Sequence, residues 1–182
     1  RTEITRGDPD PWPKSGTSDV AAGRIGKEQF LAAIEPWHGN EVVVYRGSAG
    51  KWNRQVIDVS LADAHTIVTG DLNSDGRDEI IAGFRGKPYG VYLYSLAGEK
   101  WTRHVLDRGA MAAAACSIVD IDGDGRPDIA CIGFATNNLK WYRNLGAVRR
   151  EDFVPHVLVL GTPHSQRRFE IVYSGSVRGR AQ

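Results

Sequence analysis

Short apolar segments, separated by turns that contain glycine, follow one another along most of the chain. The first four lie at 19–25, 29–34, 41–45 and 52–57. They are rich in β-branched and aromatic residues, and none keeps the 3.6-residue apolar period of an amphipathic helix over several turns. The pattern therefore predicts an all-β protein.

The same unit of four segments then returns. The sequence KWNRQVID at 51–58 matches KWTRHVLD at 100–107, so that Trp52 and Trp101 are 49 positions apart. Tyr45 and Tyr94 are also 49 apart, and Tyr142 follows 48 later. A repeat of four short strands at this period is typical of a β-propeller blade. We predict a partial β-propeller of about three four-stranded antiparallel blades, at 18–58, 64–107 and 113–160.

The flanking segments do not fit the repeat. Residues 1–17 hold several prolines and glycines and are interpreted as an irregular leader. Residues 161–182 are locally basic and are interpreted as a tail or as an extra edge strand at 169–173. Closed propellers have about four to eight blades. Three blades therefore predict a piece of a larger propeller, whose remaining blades, or self-association through open edges, would cover the exposed sheets.

Composition and charge exclude several classes of protein. The 182 residues are 41% hydrophobic and 25% charged, with a net charge of +1, which is ordinary for a soluble globular domain. Such a balance does not favour nucleic acid as a partner, and no apolar run approaches the ~20 residues of a membrane span. The chain begins with Arg rather than Met, so an export signal could have been removed, and we expect an extracellular or periplasmic protein.

Two cysteines, Cys116 and Cys131, lie on either side of the loop at 120–128. If the flanking strands form a hairpin, the two residues are close enough for a disulfide. Cysteine is nevertheless among the most buried residue types, so the interpretation that we favour is a pair of core thiols.

Two acidic loops carry the clearest chemical pattern. The loops at 71–79 and 120–128 each place carboxylate or amide side chains at positions 1, 3, 5 and 9, with glycine at position 6. Ca²⁺ prefers about six to eight oxygen ligands, and glycine permits the tight bend. Ordinary hairpin turns also use Asp and Gly, but they need fewer such residues. The first blade has a short turn at 24–28 instead.

These loops, each followed by an isoleucine-rich strand, resemble the calcium loops of FG-GAP/VCBS repeats, the blades of integrin-α-type propellers. In that family, positions 1, 3, 5 and 9 supply side-chain ligands and position 7 supplies a carbonyl. The resemblance therefore implies two Ca²⁺ sites. The implied ligands are Asp71, Asn73, Asp75, the Arg77 carbonyl and Glu79, and then Asp120, Asp122, Asp124, the Arg126 carbonyl and Asp128.

The turns opposite the acidic loops carry aromatic, imidazole and cationic groups. The predicted ligand-binding residues are Trp37, His38, Asn40, His65, Arg85, Lys87 and Tyr89. Stacking surfaces beside hydrogen-bond donors suit a carbohydrate, or alternatively a protein ligand. The chain is thus predicted to be a calcium-binding, extracellular binding or interaction module.

An enzymatic alternative rests on a second resemblance. The stretches at 35–45 and 63–65 are similar to the propeller domain of the aldos-2-ulose dehydratase family. This resemblance implies a sugar lyase or dehydratase, in which His38 and His65 would be the catalytic residues, acting in metal ligation or as acid or base groups. Of the two functions, the binding module is the one that we predict.

Overall fold

The computed structural model describes residues 3–4, 10–11, 13–48, 51–146 and 153–160. These residues form strands and turns and contain no helix, and therefore no helix that could cross a membrane. The strands are β1 (Val20–Ile25), β2 (Glu28–Glu35), β3 (Glu41–Ser48), β4 (Lys51–Asp58), β5 (Ala64–Gly70), β6 (Glu79–Phe84), β7 (Gly90–Ala97), β8 (Lys100–Arg108), β9 (Ala113–Val119), β10 (Asp128–Gly133), β11 (Asn138–Asn144) and β12 (Phe153–Leu160). The all-β prediction is confirmed.

The strands form three sheets in sequence order. Strands β1–β4 make the first sheet, β5–β8 the second and β9–β12 the third, and every neighbouring pair is antiparallel. This arrangement confirms the predicted partial, propeller-like fold of three four-stranded blades. The leader at 1–17 is described only in part, and the tail at 161–182, with its predicted strand, lies outside the described residues.

Two apolar cores lie between consecutive blades. Strand β6 is buried along its whole length because its alternate side chains enter different cores. Ile80 and Phe84 pack with residues of the first blade, whereas Ile81 packs with residues of the third. The close approach of the sheets requires small residues: a Cβ added at Gly83 would lie 2.5 Å from the Ala113 side chain. The second blade is thus covered on both faces.

A polar contact repeats at both blade junctions. At the end of β4, Asp58 Oδ2 accepts a hydrogen bond of 2.9 Å from the Tyr94 hydroxyl of the second blade. At the end of β8, Asp107 Oδ2 accepts a hydrogen bond, also of 2.9 Å, from the Tyr142 hydroxyl of the third blade. The 49-residue repeat aligns these aspartates, and it aligns the tyrosines to within one position. Each blade is therefore joined to the next by the same Asp–Tyr pair.

The two cysteines are not free thiols. Cys116 on β9 and Cys131 on β10 are directly paired in register and form a disulfide. The interpretation of two buried core thiols is therefore wrong with respect to their redox state, although both residues are buried in the core between the second and third blades. Register decided the outcome, because it places the two side chains on the same face of the hairpin. A disulfide is compatible with an oxidising compartment.

Candidate functional site

The two sets of predicted site residues lie at opposite ends of the strands. The acidic loop 71–79 begins directly after β5, whereas Asp63 directly precedes this strand and His65 lies at its start. The third blade repeats the arrangement, with the loop 120–128 following β9. The histidines and the acidic loops are therefore separated by the length of a strand.

At the histidine-bearing end, three charged or polar side chains meet. His38 Nδ1 lies 3.1 Å from Asp63 Oδ1 and 2.9 Å from Arg85 Nη2. Arg85 Nε donates a hydrogen bond of 3.0 Å to Asp63 Oδ2. The three residues come from the β2–β3 turn, the link between the first two blades, and the β6–β7 turn. Asp63 thus holds both the imidazole and the guanidinium in position.

Aromatic rings complete this cluster. The rings of Trp37 and His38 are stacked, with centroids 3.7 Å apart and an interplanar angle of 15°. His65 meets His38 edge to face at 4.7 Å, and the Arg85 guanidinium lies 5.8 Å from the centre of the Phe134 ring. Phe134 belongs to the third blade and its side chain is 68% exposed. We call these six residues the histidine cluster: Trp37, His38, Asp63, His65, Arg85 and Phe134.

Backbone hydrogen bonds fix the loops that carry the histidine cluster. The N–H groups of Leu61 and Ala64 donate to the carbonyls of Asn40 and Gly39, which joins the β2–β3 turn to the inter-blade link. The N–H of Arg85 donates to the carbonyl of Asp63. His38 and Asp63 both have a φ of 50°. A positive φ is uncommon outside glycine and often accompanies functional sites.

His65 is the member whose protonation the surroundings alter most clearly. Desolvation lowers its pKa, and the positive charge of Arg85 and the neighbouring His38 lower it further. Its Nδ1 atom is buried and has no hydrogen-bond partner among the described residues. His65 is therefore a neutral imidazole near pH 7, able to donate or accept a hydrogen bond.

The other predicted ligand residues lie near the cluster but have different contacts. Asn40 Nδ2 donates to the Val59 carbonyl at 2.8 Å, which ties the β2–β3 turn to the inter-blade link. Lys87 and Tyr89 lie on the β6–β7 turn, where the Tyr89 carbonyl accepts a hydrogen bond from the Gly109 N–H. Sequence reasoning placed Asp63 at this end without assigning it a role. It did not identify Phe134 at all, because its contact with Arg85 joins different blades.

At the opposite end, the loop 120–128 gathers three carboxylates. One oxygen from each of Asp120, Asp122 and Asp124 lies within 4.8 Å of the others. Because Ca–O distances are about 2.3–2.6 Å, a single ion can contact oxygens up to ~5 Å apart. Backbone N–H groups fix the first of these carboxylates: Asp120 accepts hydrogen bonds from the N–H of Gly123 at 2.8 Å and from the N–H of Gly125 at 2.9 Å. These three carboxylates could therefore hold a metal ion.

Two guanidinium groups pair with two of these three carboxylates. Arg143 Nε lies 2.5 Å from Asp122 Oδ2, and Arg143 Nη2 lies 3.3 Å from Asp124 Oδ2. Arg126 also forms an ion pair with Asp124. Desolvation alone would raise the pKa of Asp124, but the Arg126 N–H and the two guanidinium groups hold that pKa below its usual value.

In the loop 71–79, an amide group contacts the carboxylates, whereas in the loop 120–128 arginine side chains do so. Asn73 Nδ2 donates to Asp75 Oδ2 at 3.3 Å and to Glu79 Oε1 at 3.2 Å. Asp71 accepts hydrogen bonds from the N–H groups of Asp75 and Gly76, which closes the turn.

The acids at position 9 of both loops lie at the base of the turn. Asp128 is fully buried, and its two oxygens accept the N–H groups of Ile121 and Asn144. Glu79 is buried as well and accepts the Leu72 N–H at 2.9 Å. Desolvation raises the pKa of Glu79 to about 7, despite the opposing effect of the hydrogen bond from Leu72. Through these hydrogen bonds, the two acids fix the backbone at the base of each loop.

Comparison with known proteins gives one distant relationship. No protein-family model matches the chain. Aldos-2-ulose dehydratase from Phanerodontia chrysosporium is 32% identical over 114 residues, which cover 50% of this chain and 12% of that protein. The chain thus spans about one eighth of the length of this relative. The match links the β-domain to a carbohydrate-processing protein, whereas the FG-GAP/VCBS repeat type stays a prediction.

Proposed function

We propose that this chain is a carbohydrate-binding β-propeller segment, and that the histidine cluster is its ligand site. The observation that carries the proposal is the meeting of a stacked Trp37–His38 pair with the Asp63–Arg85 ion pair at one end of the first two blades. Sugars present apolar C–H faces and rings of hydroxyl groups, which require stacking surfaces and paired donors and acceptors together. The distant match to a carbohydrate-processing protein supports the same class of ligand.

The charges of the histidine cluster favour a neutral polyol or a sugar with a carbonyl group. Arg85 is already paired with Asp63, so the site does not present an uncompensated cation to an anionic ligand. Asp63 retains a half-exposed carboxylate that can accept a sugar hydroxyl.

Substitution of Trp37 tests the binding proposal. Titration calorimetry with a panel of monosaccharides, including an anhydro-keto sugar, should detect binding that Trp37→Ala weakens by at least about tenfold, because a stacking surface is lost. His104→Ala, on β8 and outside the histidine cluster, is the matched control and should bind normally. Equal affinity of Trp37→Ala and the unmodified chain for every sugar that binds would refute the assignment.

We also propose that the loops 71–79 and 120–128 bind Ca²⁺, as structural ions in an extracellular or periplasmic protein. The three converging carboxylates of Asp120, Asp122 and Asp124 support the proposal, as does the repetition of the loop 49 residues apart. Each loop is continuous in sequence, so that an ion would stabilise a hairpin locally and lie far from the histidine cluster. The disulfide is compatible with that location.

One specific observation favours a second function, a sugar lyase or dehydratase. The relative with 32% identity is named a dehydratase, and His38 and Asp63 form the kind of pair in which a carboxylate orients an imidazole. Because the Arg85 guanidinium can only donate, His38 Nδ1 accepts from it, and His38 Nε2–H is free to donate a hydrogen bond to a substrate carbonyl. Neutral His65 could take the proton from the carbon next to that carbonyl, and the imidazolium formed would return it to the hydroxyl that leaves the adjacent carbon as water.

The two functions respond differently to the same substitutions. In an enzyme, His38→Ala or His65→Ala should reduce the rate of water elimination from an anhydro-keto sugar by at least about a hundredfold. In a binding module, these variants should change affinity less than Trp37→Ala does. Absorbance of the unsaturated product measures turnover, and its absence from the unmodified chain would exclude the enzymatic function for this substrate class.

A further inference from the structure

Arg143 has no counterpart in the second blade. It follows Tyr142 on β11, whereas Ser95 follows Tyr94 at the equivalent position of β7. Ser95 contacts the His104 ring at 3.0 Å and, among the residues that the structure describes, forms no hydrogen bond with an acidic side chain. Arg143, in contrast, contacts both Asp122 and Asp124 of the neighbouring loop. The two acidic loops therefore differ in one cationic side chain that reaches in from outside the loop.

The arginine contacts two of the three carboxylates that a calcium ion would need. Asp122 Oδ2 and Asp124 Oδ2 are the atoms nearest to its guanidinium, at 2.5 Å and 3.3 Å. A carboxylate oxygen bound closely by a guanidinium cannot at the same time bind a divalent ion at a normal distance, because the two cations repel each other. Calcium binding would therefore require the Arg143 side chain to leave.

The side chain can leave without disrupting the core. The Arg143 side chain is 40% exposed although its Nε atom is buried, so a short outward movement would bring the whole guanidinium into water. Its aspartate partners are held by backbone N–H groups as well: Asp122 accepts the Asp124 N–H at 3.3 Å, and Asp124 accepts the Arg126 N–H at 3.0 Å. The carboxylates would thus stay in place when the guanidinium departs.

We propose that Arg143 is a built-in competitor for the cation of the loop 120–128 and sets the affinity of that loop. The inference rests on the proposed calcium function and adds the order in which the loops fill. Because the loop 120–128 has a carboxylate where the loop 71–79 has Asn73, ligand charge alone ranks it as the tighter site. Competition from Arg143 reverses this ranking, so the loop 71–79 fills first as the calcium concentration rises.

Arg126 supplies an internal comparison. It also pairs with Asp124, but an arginine, Arg77, stands at the same position of the loop 71–79. Arg77 forms no ion pair among the described residues, so Arg126 is a second guanidinium that calcium would have to displace from Asp124. Arg143 is the cation that reaches the loop 120–128 from outside it.

Calcium titration calorimetry on the full chain tests the proposal. In a chain that carries Asp75→Ala to weaken the loop 71–79, adding Arg143→Ser installs the residue of the second blade. We expect calcium to bind the loop 120–128 about tenfold more tightly, since two exposed ion pairs no longer compete. Arg143→Lys should keep part of the competition. Arg77→Ser in a chain that carries Asp124→Ala is the matched control and should leave the affinity of the loop 71–79 unchanged.

The outcomes separate this inference from the calcium proposal. If no variant and no unmodified chain binds calcium, the calcium function itself is wrong. If calcium binds the loop 120–128 and Arg143→Ser leaves its affinity unchanged or weaker, Arg143 is a structural ion-pair partner and the inference is overturned. Circular dichroism first establishes folding, and Arg143→Gln, which keeps most of the side-chain volume, replaces the serine variant if that variant does not fold.

Discussion

The second and third blades are built on the same repeat but are stabilised in different ways. In the second blade, Ile67 and Ala82 face each other across β5 and β6 as an apolar pair. At the equivalent positions of the third blade, Cys116 and Cys131 form the disulfide. A covalent bond thus stands where its neighbour relies on packing.

The acidic loops of the two blades also differ in which part of the molecule supports them. The loop 71–79 is supported from the first blade, because the Gly26 N–H donates to the Gly76 carbonyl and the Asp78 N–H donates to the Arg24 carbonyl. The loop 120–128 is supported by its own blade, through the side chain of Arg143. Among the described residues, the second blade packs against sheets on both faces and the third against a sheet on one. The third blade therefore depends more on bonds within itself, namely the disulfide and the Arg143 ion pairs.

The largest expected difference concerns the Asp–Tyr pairs. Asp107 also binds Lys140 Nζ at 2.6 Å, and the two side chains are only 5% and 8% exposed. Asp107→Ala leaves a buried ammonium without a partner and should cost about 3–5 kcal/mol of unfolding free energy. Asp58→Ala leaves Arg103, which is 42% exposed, and should cost about 1–2 kcal/mol. Urea denaturation measures both variants, and equal losses would contradict the comparison.

Removing the disulfide should have the next largest effect. Cys116→Ile with Cys131→Ala copies the apolar pair of the second blade and removes a cross-link across 15 residues. The unfolded chain regains conformational freedom, so stability should fall by about 3 kcal/mol. Thermal unfolding measures the loss, and a reducing agent should reproduce it in the unmodified chain. An unchanged melting temperature would show that packing alone holds this hairpin.

Calcium should stabilise the folded chain, unequally through its two loops. At a hundredfold excess over the dissociation constant, a bound ion adds about 2.7 kcal/mol, and EDTA should remove this contribution. At low calcium concentration, Asp75→Ala should abolish more of the stabilisation than Asp124→Ala, because the loop 71–79 lacks a competing guanidinium from outside the loop. Scanning calorimetry at graded calcium concentrations measures the difference. No melting shift with EDTA would exclude both sites.

The smallest expected effect is a pH dependence that arises from His65 in the second blade. The folded state lowers the pKa of His65, while Ala114 stands at the equivalent position of the third blade. Desolvation, Arg85 and His38 lower this pKa, and the negative charges of Asp63 and Asp19 oppose the shift. The unfolded chain, with a histidine pKa of about 6.5, then binds more protons than the folded chain below that pH.

The stability contributed by neutral His65 is therefore present above about pH 6.5 and lost as the pH falls through the lower pKa of the folded state. Glu79, with a pKa of about 7, contributes an opposite slope in both chains, so the effect of His65 is the difference between the variant and the unmodified chain. The loss of unfolding free energy caused by His65→Ala should be larger at pH 8 than at pH 5, whereas the effect of His104→Ala should not change with pH. Urea midpoints between pH 5 and 8 measure this difference, and a larger loss at pH 5 would contradict the sign that we assign to the shift.

The sequence by itself determined the class of fold and the repeat. Apolar alternation with glycine turns excluded helices, and the 49-residue spacing of Trp52 and Trp101 predicted blades of four strands. These are local signals, since each strand and turn carries its own pattern. The same spacing also aligns Asp58 with Asp107, and it aligns Tyr94 with Tyr142 to within one position. Taken together, these two alignments are a sequence signal for the Asp–Tyr pairs.

The tertiary structure alone decided which side chains meet. Register placed Cys116 opposite Cys131, and composition had favoured free thiols. Burial of Lys140 with Asp107, the contact of Phe134 with Arg85, and the reach of Arg143 into the loop 120–128 each join segments that are distant in the chain. Such contacts depend on how sheets twist and pack, which no local pattern encodes. They are also the contacts that distinguish the third blade from the second.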